Sequence, residues 1–288
     1  MRAPPLGCGR RRCPPLRRRP AITPLILLYV AVALLYGLAT WLHRPRGTHA
    51  ARGGAAVALL VVALLLHAVT IVRGAVTPAG LDLSFPQALS VVAWLTVLVT
   101  AAAGLLRKLP AVASIVLPVA ALCALAPLAG GTPHRFAYAG ETSAALHIGV
   151  ALVGYAFLVV AALQALLLLG LERRVHRGTA RAQGDGDLPL LTLERMLFRL
   201  VLAGFVLLSV TLASGLVFSE QVFGRPLTFT HKNVLSLAGF AAFAVLLFGR
   251  WRYGWRGRRA LYAIVGSTAL LLLGYLGSKF VLQVLLGR

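Results

Sequence analysis

The chain has 288 residues, 59% of them apolar and only 12% charged, with a mean hydropathy of +0.85. That balance excludes a soluble globular enzyme or binding module and places the chain in the membrane class. Its 29 Lys and Arg against seven Asp and Glu give a net charge of +22, but the basic residues cluster beside apolar runs, which fits topology and anionic lipid headgroups rather than nucleic acid.

Residues 1–22 form a basic tail with Arg-Arg-Arg at positions 10–12 and 17–19 and two thiols, Cys8 and Cys13. No Cys-x-x-Cys occurs and no histidine completes a ligand set, so neither a dithiol redox motif nor a metal site is indicated there. The expected start of the protein lies near the first apolar run; a cleaved or uncleaved signal is the alternative.

Apolar runs then follow at Thr23–Leu42, Ala55–Val72, Ala88–Leu106, Leu109–Ala129, Ala144–Leu169, Leu200–Phe218, Val234–Phe248 and Ala260–Gly277. A run of about 20 such residues crosses the hydrocarbon core as a helix, which satisfies its own backbone polar groups where no water can. The expected fold is therefore an all-α integral membrane protein, a bundle of about eight transmembrane helices. Between the fifth and sixth runs the chain passes through Gln183-Gly-Asp-Gly-Asp187 and then reads as a short amphipathic interfacial helix. There Leu190, Leu193, Met196 and Leu197 share one face, and Glu194, Arg195 and Arg199 can reach headgroups or solvent.

Alternate connections differ sharply in charge. Sixteen Lys and Arg lie in Arg44–Arg52, Arg107–Lys108, Arg173–Arg199 and Arg250–Arg259, against six on the other side. The positive-inside rule places the richer set in the cytoplasm and both termini outside. The arginines of the tail oppose that orientation, which is why a start near the first helix is expected.

Three histidines then fall in the outer half. His67 lies two-thirds along the second run, His147 one turn into the fifth and His231 just before the seventh. Neutral imidazole is the commonest transition-metal ligand and two can hold one haem iron axially, so these three are candidate ligands. Hydrogen-bonded packing is the alternative for each. Tyr155, eight residues after His147, shares nearly the same helix face two turns deeper. Gly149 and Gly154 would admit either a flat ring or a neighbouring helix. His43, His49, His134 and His176 lie in connections and receive no role.

Catalytic motifs are absent. There is no H-E-x-x-H, no G-x-S-x-G, no P-loop and no pair of intramembrane carboxylates; Glu141 and Glu220 lie at outer helix ends. Binding rather than bond-making is expected.

A series of segments carries a family resemblance: His67-Ala68, Leu146-His-Ile-Gly-Val-Ala-Leu-Val-Gly-Tyr155, Ala162-Leu-Gln-Ala-Leu166, Pro189-Leu-Leu-Thr-Leu-Glu-Arg-Met-Leu-Phe-Arg199, Leu207-Leu-Ser-Val-Thr-Leu-Ala-Ser-Gly-Leu216, His231-Lys-Asn-Val-Leu-Ser236, Gly254-Trp-Arg-Gly-Arg-Arg259 and Gly274-Tyr-Leu-Gly-Ser-Lys-Phe280. By their order and spacing residues 23–288 resemble a cytochrome c assembly transmembrane domain of the CcsA and CcmC kind, in its YpjD and HemX-like branch. The resemblance implies a bacterial inner-membrane protein that holds haem between outer-face histidines. His147 matches the first of them, His67 matches a histidine within the membrane, and His231, a weaker match, stands where the next helix begins. His147 and His231 are thus the candidate iron ligands, with Tyr155 placed beside them by its helix face. Other cytochrome c assembly proteins are the implied partners.

The chain departs from that pattern in two places. No tryptophan stands between Phe218 and His231, and no second outer histidine follows the last run. The expected function is haem binding and handling in support of cytochrome c biogenesis. The alternative is a HemX-like membrane regulator or scaffold without haem, acting through Leu171–Arg199 and Arg250–Arg259. A transporter is a third reading, for which the broken-helix pairs and inverted repeat are lacking.

Overall fold

The computed structural model describes residues 22–43, 50–77, 80–82, 84–104, 110–130, 135–136, 142–176, 190–217 and 231–281. Cys8, Cys13, the Gln183–Asp187 stretch, Glu141, Glu220 and the loop 218–230 lie outside them, as does the side chain of His231.

Among the described residues eight helices are long and apolar enough to cross a membrane. They are α1 (Ile22–Leu42), α2 (Ala50–Ala75), α3 (Phe85–Ala102), α4 (Pro110–Leu125), α5 (Thr142–His176), α6 (Leu190–Val217), α7 (His231–Tyr253) and α8 (Arg258–Leu272). The molecule is an all-α bundle and a multi-pass membrane protein. The last helix runs on through a π-helical turn, Leu273–Gly277, into Ser278–Phe280.

Two outer connections are stitched together by a small antiparallel sheet of β1 (Val76–Thr77), β2 (Gly80–Asp82) and β3 (Arg135–Phe136), with Val76 opposite Leu81 and Leu81 opposite Phe136. Strands of two or three residues carry no readable periodicity, so the sequence gives no sign of it.

Helix α3 organises the core because it is buried on two sides. Its Val92, Leu95 and Val99 join a cluster built with α5, α6, α7 and α8, while Ala93 and Val97 join a second cluster built with α1, α2 and α4. Helix α1, by contrast, buries the stripe Tyr29, Val32, Tyr36 and Ala39 and exposes Leu27, Leu34, Leu38 and Trp41. An apolar stripe turned outward from a membrane-spanning helix is its lipid face, where no hydrophobic cost attaches to exposure.

Close packing of α5 on α6 depends on two glycines. A Cβ on Gly204 would stand 2.7 Å from Leu158 Cγ and 3.2 Å from the Gly154 carbonyl oxygen, and one on Gly154 would stand 3.3 Å from Leu207 Cβ. Gly154 therefore serves the helix crossing, whereas Gly149 meets nothing within 4 Å. Gly204→Val is expected to lower stability by about 1–3 kcal/mol through overpacking, and Gly149→Val by less. Thermal unfolding midpoints of the two variants in mild detergent check this.

The amphipathic stretch forms the first turns of α6 and is continuous with the membrane span. Leu193 and Leu197 are buried and Met196 packs beside them. The physical reason is the length of α5, whose 35 residues extend about 52 Å against a hydrocarbon core of about 30 Å. Its inner end supplies a protein surface for that apolar face. Gln164 of α5 fixes the contact by donating from Nε2 to the Leu193 carbonyl at 2.9 Å.

Candidate functional site

His147 stands near the N-terminal end of α5, half-buried against α6. Its Nδ1 lies 2.8 Å from Ser214 Oγ, and Ser214 Oγ lies 3.0 Å from the Thr211 carbonyl. A hydroxyl has one proton. With that proton donated to Thr211, the Ser214 oxygen accepts from Nδ1–H, so neutral His147 carries its lone pair on Nε2. Gly215 permits this placement, since a Cβ there would stand 3.3 Å from the imidazole Cε1. A neighbour that fixes one imidazole nitrogen as donor is what orients the other toward a metal.

Two turns deeper on α5, Tyr155 is buried and stacks on Tyr275 with ring centroids 5.5 Å apart. Tyr275 belongs to the π-helical turn after α8. Such turns displace one residue from the regular ladder and re-aim its side chain. His231 opens the first turn of α7, and α5 and α7 run in the same direction, each antiparallel to α6. At 1.5 Å per residue His147 lies about 12 Å along α5 from Tyr155.

His67 occupies a different setting. It is fully buried, with Nδ1 3.1 Å from the Tyr36 hydroxyl and Nε2 2.9 Å from Ser90 Oγ. One imidazole thus joins α1, α2 and α3, and both ring nitrogens are engaged. Trp94 adds a second tie by donating from Nε1 to the Leu64 carbonyl at 2.9 Å. The expectation that His67 converges with His147 is not met: His67 sits among α1–α3, whereas His147 sits between α5 and α6. No group of three potential metal-ligating side chains occurs among the described residues.

The chain's kinship follows from its length of match. Residues 55–286 match the family model described as cytochrome C assembly protein. The chain belongs to the cytochrome c assembly protein family. It is 36% identical over 140 residues to the inner membrane protein YpjD of Escherichia coli K12, covering 49% of this chain and 52% of that one. A 28.8 kDa protein of Azospirillum brasilense is 35% identical over 142 residues, with the same two coverages. The cytochrome c biogenesis protein CcsA of Parasynechococcus marenigrum is 30% identical over 147 residues, covering 43% of this chain and 48% of the relative. The chain spans about half the length of the curated relatives it matches. No solved structure matches it.

Within this cytochrome c assembly protein, Ser214, Tyr275, Tyr36 and Ser90 complete the surroundings of the candidate residues. Ser214 is legible beforehand only as a generic interhelical hydrogen-bonder. Tyr36 and Ser90 carry no signal, because a lone hydroxyl in an apolar run has no periodicity that names its partner.

Proposed function

We propose that this protein binds and presents haem at the outer face of the bacterial inner membrane in support of cytochrome c biogenesis, and that it acts without bond-making catalysis. The observation that carries the reading is the His147–Ser214 pair, which sets Nε2 as the lone-pair nitrogen at the outer end of α5. Membership of the cytochrome c assembly family and the likeness to a protein named for cytochrome c biogenesis support it.

The donor chemistry fits the group. His147 offers an imidazole whose Nδ1 is engaged by Ser214, and His231 opens α7. These two would hold the iron, and Tyr155 with Tyr275 would close the apolar floor beneath. Haem, if held by His147 and His231, would supply an iron that imidazole can ligate and a porphyrin to be passed to a c-type cytochrome. The protein's own part is to orient His147 through Ser214 and to keep the ring system out of water.

Expression with added haem, followed by purification in detergent, is expected to yield a near-stoichiometric chromophore with a low-spin bis-histidine spectrum. Protein that carries no Soret band under those conditions sinks the proposal. The regulatory or scaffolding reading would then stand, favoured by the exposed guanidinium groups of Arg252, Arg256 and Arg259 around the α7–α8 turn.

A further inference from the structure

An open groove of roughly 810 Å³ lies between α6 and α7, at the end of the bundle that carries the arginine-rich connections. Its floor is carbon: Leu202 and Phe205 from α6, and Ala244, Leu247 and Phe248 from α7. Phe205 is held in place by stacking on Phe240, with centroids 4.7 Å apart. Arg195, Arg199 and Arg250 stand at the mouth with Trp251.

The three arginines are not equivalent. Arg250 is already engaged: Nη1 donates to Glu194 Oε1 at 2.6 Å and to the Trp255 carbonyl at 3.2 Å, and its guanidinium lies 4.0 Å over the Phe198 ring. Arg195 and Arg199, one turn apart on α6, are exposed, and among the described residues neither forms an ion pair. Like charges spaced i, i+4 repel, and an anion seated between them removes that repulsion.

A lateral groove between membrane-spanning helices is filled by hydrocarbon, since water is absent at that depth. Directly above the floor stand two exposed guanidinium groups, whose fork geometry suits phosphate oxygens. Trp251, 81% exposed, is the kind of side chain that marks the headgroup level. We propose that this groove is a binding site for an anionic phospholipid, with an acyl chain along Leu202, Phe205 and Leu247 and the phosphodiester between Arg195 and Arg199. A zwitterionic headgroup carries its own ammonium beside the phosphate and gains less from that pair. The inference is independent of haem.

The full-length protein in detergent is titrated with phosphatidylglycerol, cardiolipin and phosphatidylcholine in mixed micelles, and bound lipid is counted by native mass spectrometry. The anionic lipids are expected to bind at least about tenfold more tightly than phosphatidylcholine, a gap that one guanidinium contact nearly supplies. The double variant Arg195→Gln, Arg199→Gln is expected to weaken anionic-lipid binding about thirtyfold. The double variant Arg252→Gln, Arg256→Gln removes the same charge outside the groove and should change binding less than about twofold. Ala244→Phe, which fills the floor and keeps every charge, should displace the lipid as well, and so supplies the test if the arginine variant fails to fold. Equal losses in the two double variants, equal binding of phosphatidylcholine, displacement by inorganic phosphate, or a protein rather than a lipid captured by a photoreactive group at position 202 each overturns the proposal.

Discussion

His147→Ala is expected to abolish the Soret band of the haem-loaded protein. An axial imidazole cannot be replaced by a methyl group, and the structure places no other described histidine beside His147 to stand in, since His67 has both ring nitrogens engaged. Ser214→Ala provides the graded control. It leaves the ligand in place but removes the acceptor that holds Nδ1–H, so the imidazole is free to turn and to exchange tautomers. Loss of such an orienting partner commonly weakens a metal site 10–100-fold, and a shift of that order in haem affinity, with a weakened low-spin signature, is expected. Competition with a soluble haem acceptor, followed by absorption, measures both variants. A His147→Ala protein that retains full Soret amplitude would show that iron is held elsewhere.

The second large effect concerns stability. His67→Ala opens a cavity the size of an imidazole at a site with no exposure and leaves the hydroxyls of Tyr36 and Ser90 without their partner. Truncation of a large buried ring costs about 3–5 kcal/mol, and each interhelical hydrogen bond in a membrane protein contributes about 0.6 kcal/mol on average. The variant should therefore unfold at a markedly lower temperature in detergent and extract poorly. Tyr36→Phe removes one bond and no volume, and its loss should be about 0.6 kcal/mol. His67→Gln keeps a donor and an acceptor and should recover part of the stability without altering the haem spectrum. A changed spectrum in that variant would return His67 to the list of iron ligands.

The two histidines show how a sequence can identify a residue without revealing its task. Both stand out as polar groups in apolar runs. The partner of His147 lies 67 residues away and the Ser90 partner of His67 lies 23 residues away. Nothing in a single apolar run indicates which distant hydroxyl will face it. Gly149 and Gly154 behave the same way: they are five residues apart on one helix, yet one meets open space and the other meets Gly204. The amphipathic opening of α6 was readable as a face and not as a destination, because the surface that receives it is the inner end of α5, whose helix continues well past the apolar run.

The eight crossings and their approximate limits are legible in the residues alone, because a bilayer imposes a one-dimensional demand: each crossing must be long, apolar and locally hydrogen-bonded. The described helices fall on all eight predicted runs, and even the shortest, Val234–Phe248, extends to His231–Tyr253 once its polar ends are included. That α3 is buried on two sides, that His67 fastens three helices and that His147 leans on Ser214 emerges from the packed bundle alone. Lipid is as apolar as leucine, so hydropathy does not tell a face that meets lipid from one that meets another helix. Close packing and a few interhelical hydrogen bonds make that choice, and they exist only once the helices are assembled.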